Sequence, residues 1–105
     1  MRDPLIAMKT SKPPSFARAL RAVRKAKQLP QEAFDQVSSR TYVSALERGL
    51  KSPTLSKITE LAGVCDVHPL TLLLLSFSRS GKRAEFDQLL AIIRQELDSI
   101  EITDL

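Results

Sequence analysis

The stretch Gln31 to Pro53, QEAFDQVSSRTYVSALERGLKSP, limits what this chain can fold into more than any other part of it. Polar residues Gln36, Ser38 and Ser39 separate one short apolar pattern from the next, and Gly49 and Pro53 punctuate its end. It reads as two short helices joined by a tight polar turn, closed by Glu47-Arg48-Gly49 and a Lys-Ser-Pro exit. A helix pair of that size lets a small protein lay one helix in a DNA major groove.

The flanking sequence supports the pair. Ser15 follows Pro13-Pro14 as a candidate N-cap, and Phe16, Ala19, Leu20, Val23 and Ala26 then recur at helical spacing to about Lys27. Pro30 fits the first turn of a second helix whose buried side is Ala33, Phe34 and Val37. Ser38-Ser39 offer capping oxygens for a third helix at about 39–48, with Val43 and Leu46 inward and Gly49 as its stop. Ser52-Pro53 repeats the signal before a fourth helix, whose expected inner face is Leu55, Ile58, Leu61, Ala62 and Cys65. His68-Pro69 opens a fifth, whose Leu70, Leu72, Leu73, Leu74, Leu75 and Phe77 are apolar nearly all round. Such a helix needs cover on more than one side, and in so small a protein a second subunit is the natural cover.

After the polar break at Ser78 to Gly81, a sixth helix is expected from Lys82 to Ile100. Phe86, Leu90, Ile93, Leu97 and Ile100 are spaced four-three-four-three, a heptad seam over two repeats. Two roles stand open for this helix, docking within its own subunit or helping a dimer form. Leu72, Leu75, Phe77, Phe86, Leu90, Ile93 and Leu97 are the candidate dimer interface. The expected organisation is a flexible basic arm over residues 1–14, a DNA-binding domain over 15–78 and a C-terminal helix over 82–101. Arg2, Lys9 and Lys12 on the arm have two readings, brushing DNA phosphates or no role at all.

Charge is distributed unevenly. Residues 1–51 hold eleven Lys/Arg against four acids, and residues 52–105 hold five against eight, so a basic half precedes an acidic one. That asymmetry fits a chain that meets a polyanion at one end and protein or water at the other. Catalysis has almost no support. With three glycines there is no phosphate-cradling loop, and neither a carboxylate pair nor a nucleophile-base set is present. No enzyme activity, cofactor, metal or catalytic residue is expected. Lone Cys65 excludes an internal disulfide and reads as a small buried hydrophobe; lone His68 reads as a cap or surface residue. No stretch approaches the roughly 18 apolar residues that cross a bilayer, and residues 1–14 lack the apolar core of a secretory signal.

Several motifs combine into a resemblance. Leu20-Arg21-Ala22-Val23-Arg24, Gln31-Glu32, Ser39-Arg40-Thr41-Tyr42-Val43-Ser44-Ala45-Leu46-Glu47-Arg48-Gly49, Ser52-Pro53-Thr54-Leu55 and Val67-His68-Pro69-Leu70 stand in the order expected of one known domain. Residues 16–77 resemble the helix-turn-helix domain of phage repressors and Cro, the xenobiotic-response-element type of bacterial regulator. The resemblance implies an all-α, five-helix lambda-repressor-like DNA-binding domain plus a C-terminal amphipathic helix. It implies a cytoplasmic, nucleoid-associated, sequence-specific transcription regulator that binds double-stranded DNA, as a homodimer on an inverted repeat. The sequence departs from the family in one respect. Gln31 to Gly49 is shorter than usual, and Gln36-Val37-Ser38 replaces the small-Gly-apolar turn, so the second helix or the turn must be truncated.

Position in the resembled domain assigns roles. Ser39, Arg40, Thr41 and Ser44 lie at the end of the recognition helix that enters the groove first, the base-reading positions. Arg40 can donate two hydrogen bonds to guanine O6 and N7, with a phosphate contact as the competing reading. Gln31, Tyr42, Arg48, Lys51 and Ser52 match phosphate-contacting positions, and Tyr42 is equally readable as a packing residue. Arg24 and Glu47 match the family's structural ion pair tying the first helix to the third. A rival reading is a protein-interaction module, such as an antitoxin whose acidic C-terminal helix caps a toxin or another protein partner.

Overall fold

The computed structural model describes residues 14–105. The proposed arm with Arg2, Lys9 and Lys12 lies outside the described residues. Every regular element among those described is helical: α1 (Phe16–Ala26), a 3-10 helix (Gln31–Phe34), α2 (Arg40–Glu47), α3 (Leu55–Cys65), α4 (Pro69–Phe77) and α5 (Arg83–Ser99). Pro14–Phe77 form one compact unit, and Ser78–Leu105 belong to another.

Helix ends in the first unit follow their local chemistry. Ser15 Oγ accepts from Arg18 N–H at 3.2 Å, Ser39 Oγ from Tyr42 N–H at 3.1 Å and Thr54 Oγ1 from Lys57 N–H at 3.1 Å, each satisfying an amide that the first turn leaves open. His68 acts as a cap through its ring: Nδ1 accepts from Leu70 N–H at 3.0 Å. At the far end of α2, Gly49 N–H donates to Leu46 O at 3.1 Å and Leu50 N–H to Ala45 O at 2.9 Å. That reversed bonding needs a left-handed residue, and Gly49 supplies it at φ 74. Asp66, at φ 58, makes the same turn after α3, where Val67 N–H donates to Ala62 O at 3.0 Å.

The expected second helix is different. Only Gln31–Phe34 is helical there, and as a 3-10 turn. Ala33 N–H donates to Pro30 O and Asp35 N–H to Glu32 O, both at 3.1 Å, and then Val37 and Ser38 N–H both donate to Phe34 O at 2.9 Å. The short interval between Pro30 and the Ser39 cap leaves no room for a full α-helix plus a turn. Two side chains hold the abbreviated segment. Phe34 has no exposed surface, and Lys57 Nζ donates to Val37 O at 2.7 Å, satisfying a carbonyl at its end.

Leu20, Val23, Phe34, Val43, Leu46, Leu61, Ala62, Cys65 and Leu72 make the core of this unit, edged by Phe16, Leu29, Val37, Tyr42, Val64, Val67 and Leu75. Each fully buried Leu or Phe contributes roughly 1.5–3 kcal/mol. Burial pushes the Cys65 thiol pKa up, which suits an inert core side chain. The start of α1 is tied to the end of α4, where Ser15 N–H donates to Ser76 O at 2.8 Å.

Two expectations about single side chains are corrected. Leu55 does not face inward: it is the first residue of α3, ahead of the buried stripe, and is 75% exposed. Leu72 is fully buried in its own subunit's core, so it has no surface to offer a second subunit. The other candidate on α4, Phe77, is exposed, and Leu75 is half-buried.

In the second unit, α5 starts after Gly81 (φ 68). Lys82 gives no side-chain cap, and Glu85 replaces it by folding back. Its carboxylate accepts from Arg79 N–H, Ser80 N–H and Ser80 Oγ at 2.7 Å each, and from Ser78 Oγ at 2.8 Å. No residue of α5 is fully buried. Among the described residues no single helix is long and apolar enough to cross a membrane.

Candidate nucleic-acid interface

α2 is held at one end and presented at the other. At its C-terminal end Glu47 is buried, and Arg24 from α1 grips it with Nε at 2.6 Å from Oε2 and Nη2 at 2.9 Å from Oε1. Gln31 Nε2 adds a third donor to Glu47 Oε1 at 3.1 Å, and Arg24 Nη1 reaches Leu29 O at 2.9 Å. Burial works against ionising Glu47, yet the donors outweigh it and hold its carboxyl below the usual range. The hydrogen bond to Glu47 is the largest influence raising Arg24. Paired this way, the charges orient α2 against α1 and the 3-10 turn.

The leading end of α2 is open. Ser39, Arg40 and Thr41 are exposed, and Ser44 one turn on is half-buried. Arg40 reaches back over the 3-10 turn, with Nη1 3.8 Å from Glu32 Oε1 and Nη2 3.5 Å from Asp35 Oδ2. All three side chains are roughly half exposed or more, so these contacts contribute at most about 1 kcal/mol and exchange readily.

The residues expected to touch phosphates divide. Arg48, Lys51 and Ser52 are exposed at and after the end of α2, and Arg48 Nε makes only a long 3.4 Å bond to Ser44 O. Tyr42 is half-buried against the core, with Lys51 Nζ and Lys57 Nζ each 5.8 Å from its ring centroid. It therefore packs and gathers two cations at once. Gln31 departs from its expected role. Its amide is committed inward to Glu47, and one 3-10 turn supplies little of the dipole that would draw a phosphate.

A family model described as helix-turn-helix matches residues 20–72. This chain belongs to the helix-turn-helix family. The helix-turn-helix protein is thereby a DNA-binding regulator of the repressor and Cro type, with the all-helical architecture of that domain. No curated protein and no solved structure matches the chain. The match takes in every residue from Arg24 to Ser52 discussed above, and α5 lies beyond it. Among the described residues no group of His, Cys, Asp and Glu could hold a metal ion.

Three features of this helix-turn-helix surface escaped sequence reasoning. Glu32 and Asp35 reach Arg40 only because the turn between them is 3-10, which no helical periodicity announces. Lys57, which no motif singles out, closes the 3-10 segment with its amine. Leu50 (64% exposed) and Leu55 flank Lys51 and Ser52 with apolar surface that a reading of leucine as core hides.

Proposed function

We propose that α2 is the recognition helix and lies in the major groove, with Ser39, Arg40, Thr41 and Ser44 toward base edges. Arg48, Lys51 and Ser52 sit against phosphates. Two copies bind as a homodimer on an inverted repeat, their recognition helices about 34 Å apart, one turn of DNA. One observation carries this reading: the exposed tip of α2 stands at the opposite end from the Arg24–Glu47 lock, so the scaffold fixes the direction in which the tip points. Arg40 exchanges Glu32 and Asp35 for a guanine, where two hydrogen bonds discriminate against a wrong base by roughly 1–3 kcal/mol. Its acidic neighbours repel bare phosphate, so a non-specific backbone is a poorer reward for that exchange than a correct base.

Selection of bound fragments from a random DNA pool by the purified chain tests the reading. The expected result is an enriched inverted repeat, and affinity for it that falls steeply with salt as several phosphate contacts release counterions. A pool that stays random, or binding indifferent to salt, would overturn it.

A further inference from the structure

α5 carries an apolar stripe that the fold leaves open. Leu90, Ile93, Leu97 and Ile100 are 52%, 47%, 54% and 56% exposed, and Phe86 continues the line at the N-terminal end. Along one edge a shallow groove is lined by Asp87, Leu90, Ile93, Arg94 and Leu97. The four-three-four-three spacing sets Phe86, Ile93 and Ile100 at one seam position of a heptad, Leu90 and Leu97 at the other, and Asp87 and Arg94 at the same flanking position one heptad apart.

From these positions we infer that α5 binds α5 of a second copy antiparallel, about a twofold axis between Ala91 and Ile92. In that register Leu90 meets the partner's Ile93, and Phe86 meets the partner's Leu97. Each contact occurs twice by symmetry. Asp87 then lies beside the partner's Arg94 and Arg94 beside the partner's Asp87, so this flank is matched in charge twice, while on the other flank Leu89 lies beside the partner's Glu96. Arg83 falls opposite the partner's Ile100, where its aliphatic stem covers the isoleucine and its guanidinium reaches water. A parallel pair in heptad register fits worse. It pairs Lys82 with the partner's Asp87, but it stacks Arg83 on its own copy inside the seam, sets Glu96 against the partner's Glu101 and leaves Arg94 facing the partner's Leu89. Charge complementarity therefore selects both the occupant, a second copy of this chain, and its direction. The inference rests on the homodimer reading and gives it an interface outside the helix-turn-helix unit.

Sedimentation equilibrium of the full chain reads the pairing. Asp87→Arg and Arg94→Asp each place like charges together at both of these contacts, and each is expected to weaken self-association by about tenfold. Asp87→Arg/Arg94→Asp together restores it to within about threefold. Both residues are exposed, so folding is spared, and helix content by circular dichroism checks that. Direction has its own readout in a spin label on Ser99→Cys, since buried Cys65 does not compete for the reagent. Antiparallel helices set the two labels about 22 Å apart along the axis in addition to their separation across it, and parallel helices leave only the separation across it, about 15 Å for outward-facing positions. A monomeric chain, singles without effect, a double variant that fails to restore, or the shorter label distance would each overturn the inference. Affinity of the same variants for one half-site of the selected DNA stays unchanged if only the pairing is wrong, and is absent in the wild type if the DNA reading itself is wrong.

Discussion

The two units of this chain are stabilised in opposite ways. Pro14–Phe77 encloses twelve buried apolar side chains, nine of them in one connected core, and a buried carboxylate matched by an arginine. α5 in the other unit has no fully buried residue, and its start is shaped by hydrogen bonds around one carboxylate near the surface. One unit holds its shape by what it removes from water. The other keeps a helix whose apolar stripe is still in water, the state of a surface awaiting cover. The proposed base reading draws its precision from the first arrangement, because such a tip is useful only if its helix cannot rock.

Glu47→Ala is the sharpest way to break that contrast. It leaves Arg24 partly buried and unmatched and deprives Gln31 of its acceptor. The expected loss is about 3 kcal/mol or more in the stability of the helix-turn-helix unit, with DNA affinity falling alongside. Thermal unfolding checks it, and a melting temperature equal to wild type would remove the pair from its structural role. α5, which shares none of these contacts, keeps its helix content at temperatures where the mutant domain is still folded.

How far sequence alone reached follows the same divide. α1, α2, α3 and α4 were legible because each has a cap or proline signal at its start, although α3 is capped by Thr54 and not by Ser52, and because Leu20, Val23, Val43, Leu46, Leu61 and Cys65 recur at helical spacing. The 3-10 turn was not legible. Ala33, Phe34 and Val37 suit either geometry, and the choice was made by the short distance to Ser39 and by Lys57, twenty residues from the carbonyl it satisfies. Leu72 and Leu55 show the second failure. A run of leucines states that something must be covered without saying which copy covers it, and a leucine opening a helix can precede the buried stripe. At the candidate interface, the residue types at the tip of α2 were readable, but the acids beside Arg40 were not.

Arg40→Ala has a smaller and more local effect. Stability should stay within about 0.5 kcal/mol of wild type, because the side chain is 63% exposed and its ion pairs are weak. Discrimination between the selected DNA and a variant at one base pair should shrink by roughly 1–3 kcal/mol. Glu32→Gln/Asp35→Asn sharpens the same point from the other side. Removing the two acids should tighten binding to random-sequence DNA more than binding to the selected site, so the ratio of the two affinities falls. A uniform gain on both would mean that the acids act only through overall charge.

The smallest effect belongs to the other unit. Donors from Arg79, Ser80 and Ser78 outweigh the modest burial of Glu85 and hold its carboxyl at about 2, below the ordinary 4.5. A carboxyl held low in the folded state contributes fully above the ordinary value, and its contribution fades as pH falls from about 4.5 toward about 2. The amide resonance of Ser80 should therefore stay fixed from neutral pH to about 4.5 and move only below it, and in Glu85→Gln that acid-dependent step should vanish. Glu47 is also held low, so global acid unfolding would blur the two carboxyls, and only a local probe separates them. A Ser80 midpoint near 4.5 would show that the turn does not grip Glu85, leaving the start of α5 without the cap that Lys82 fails to provide.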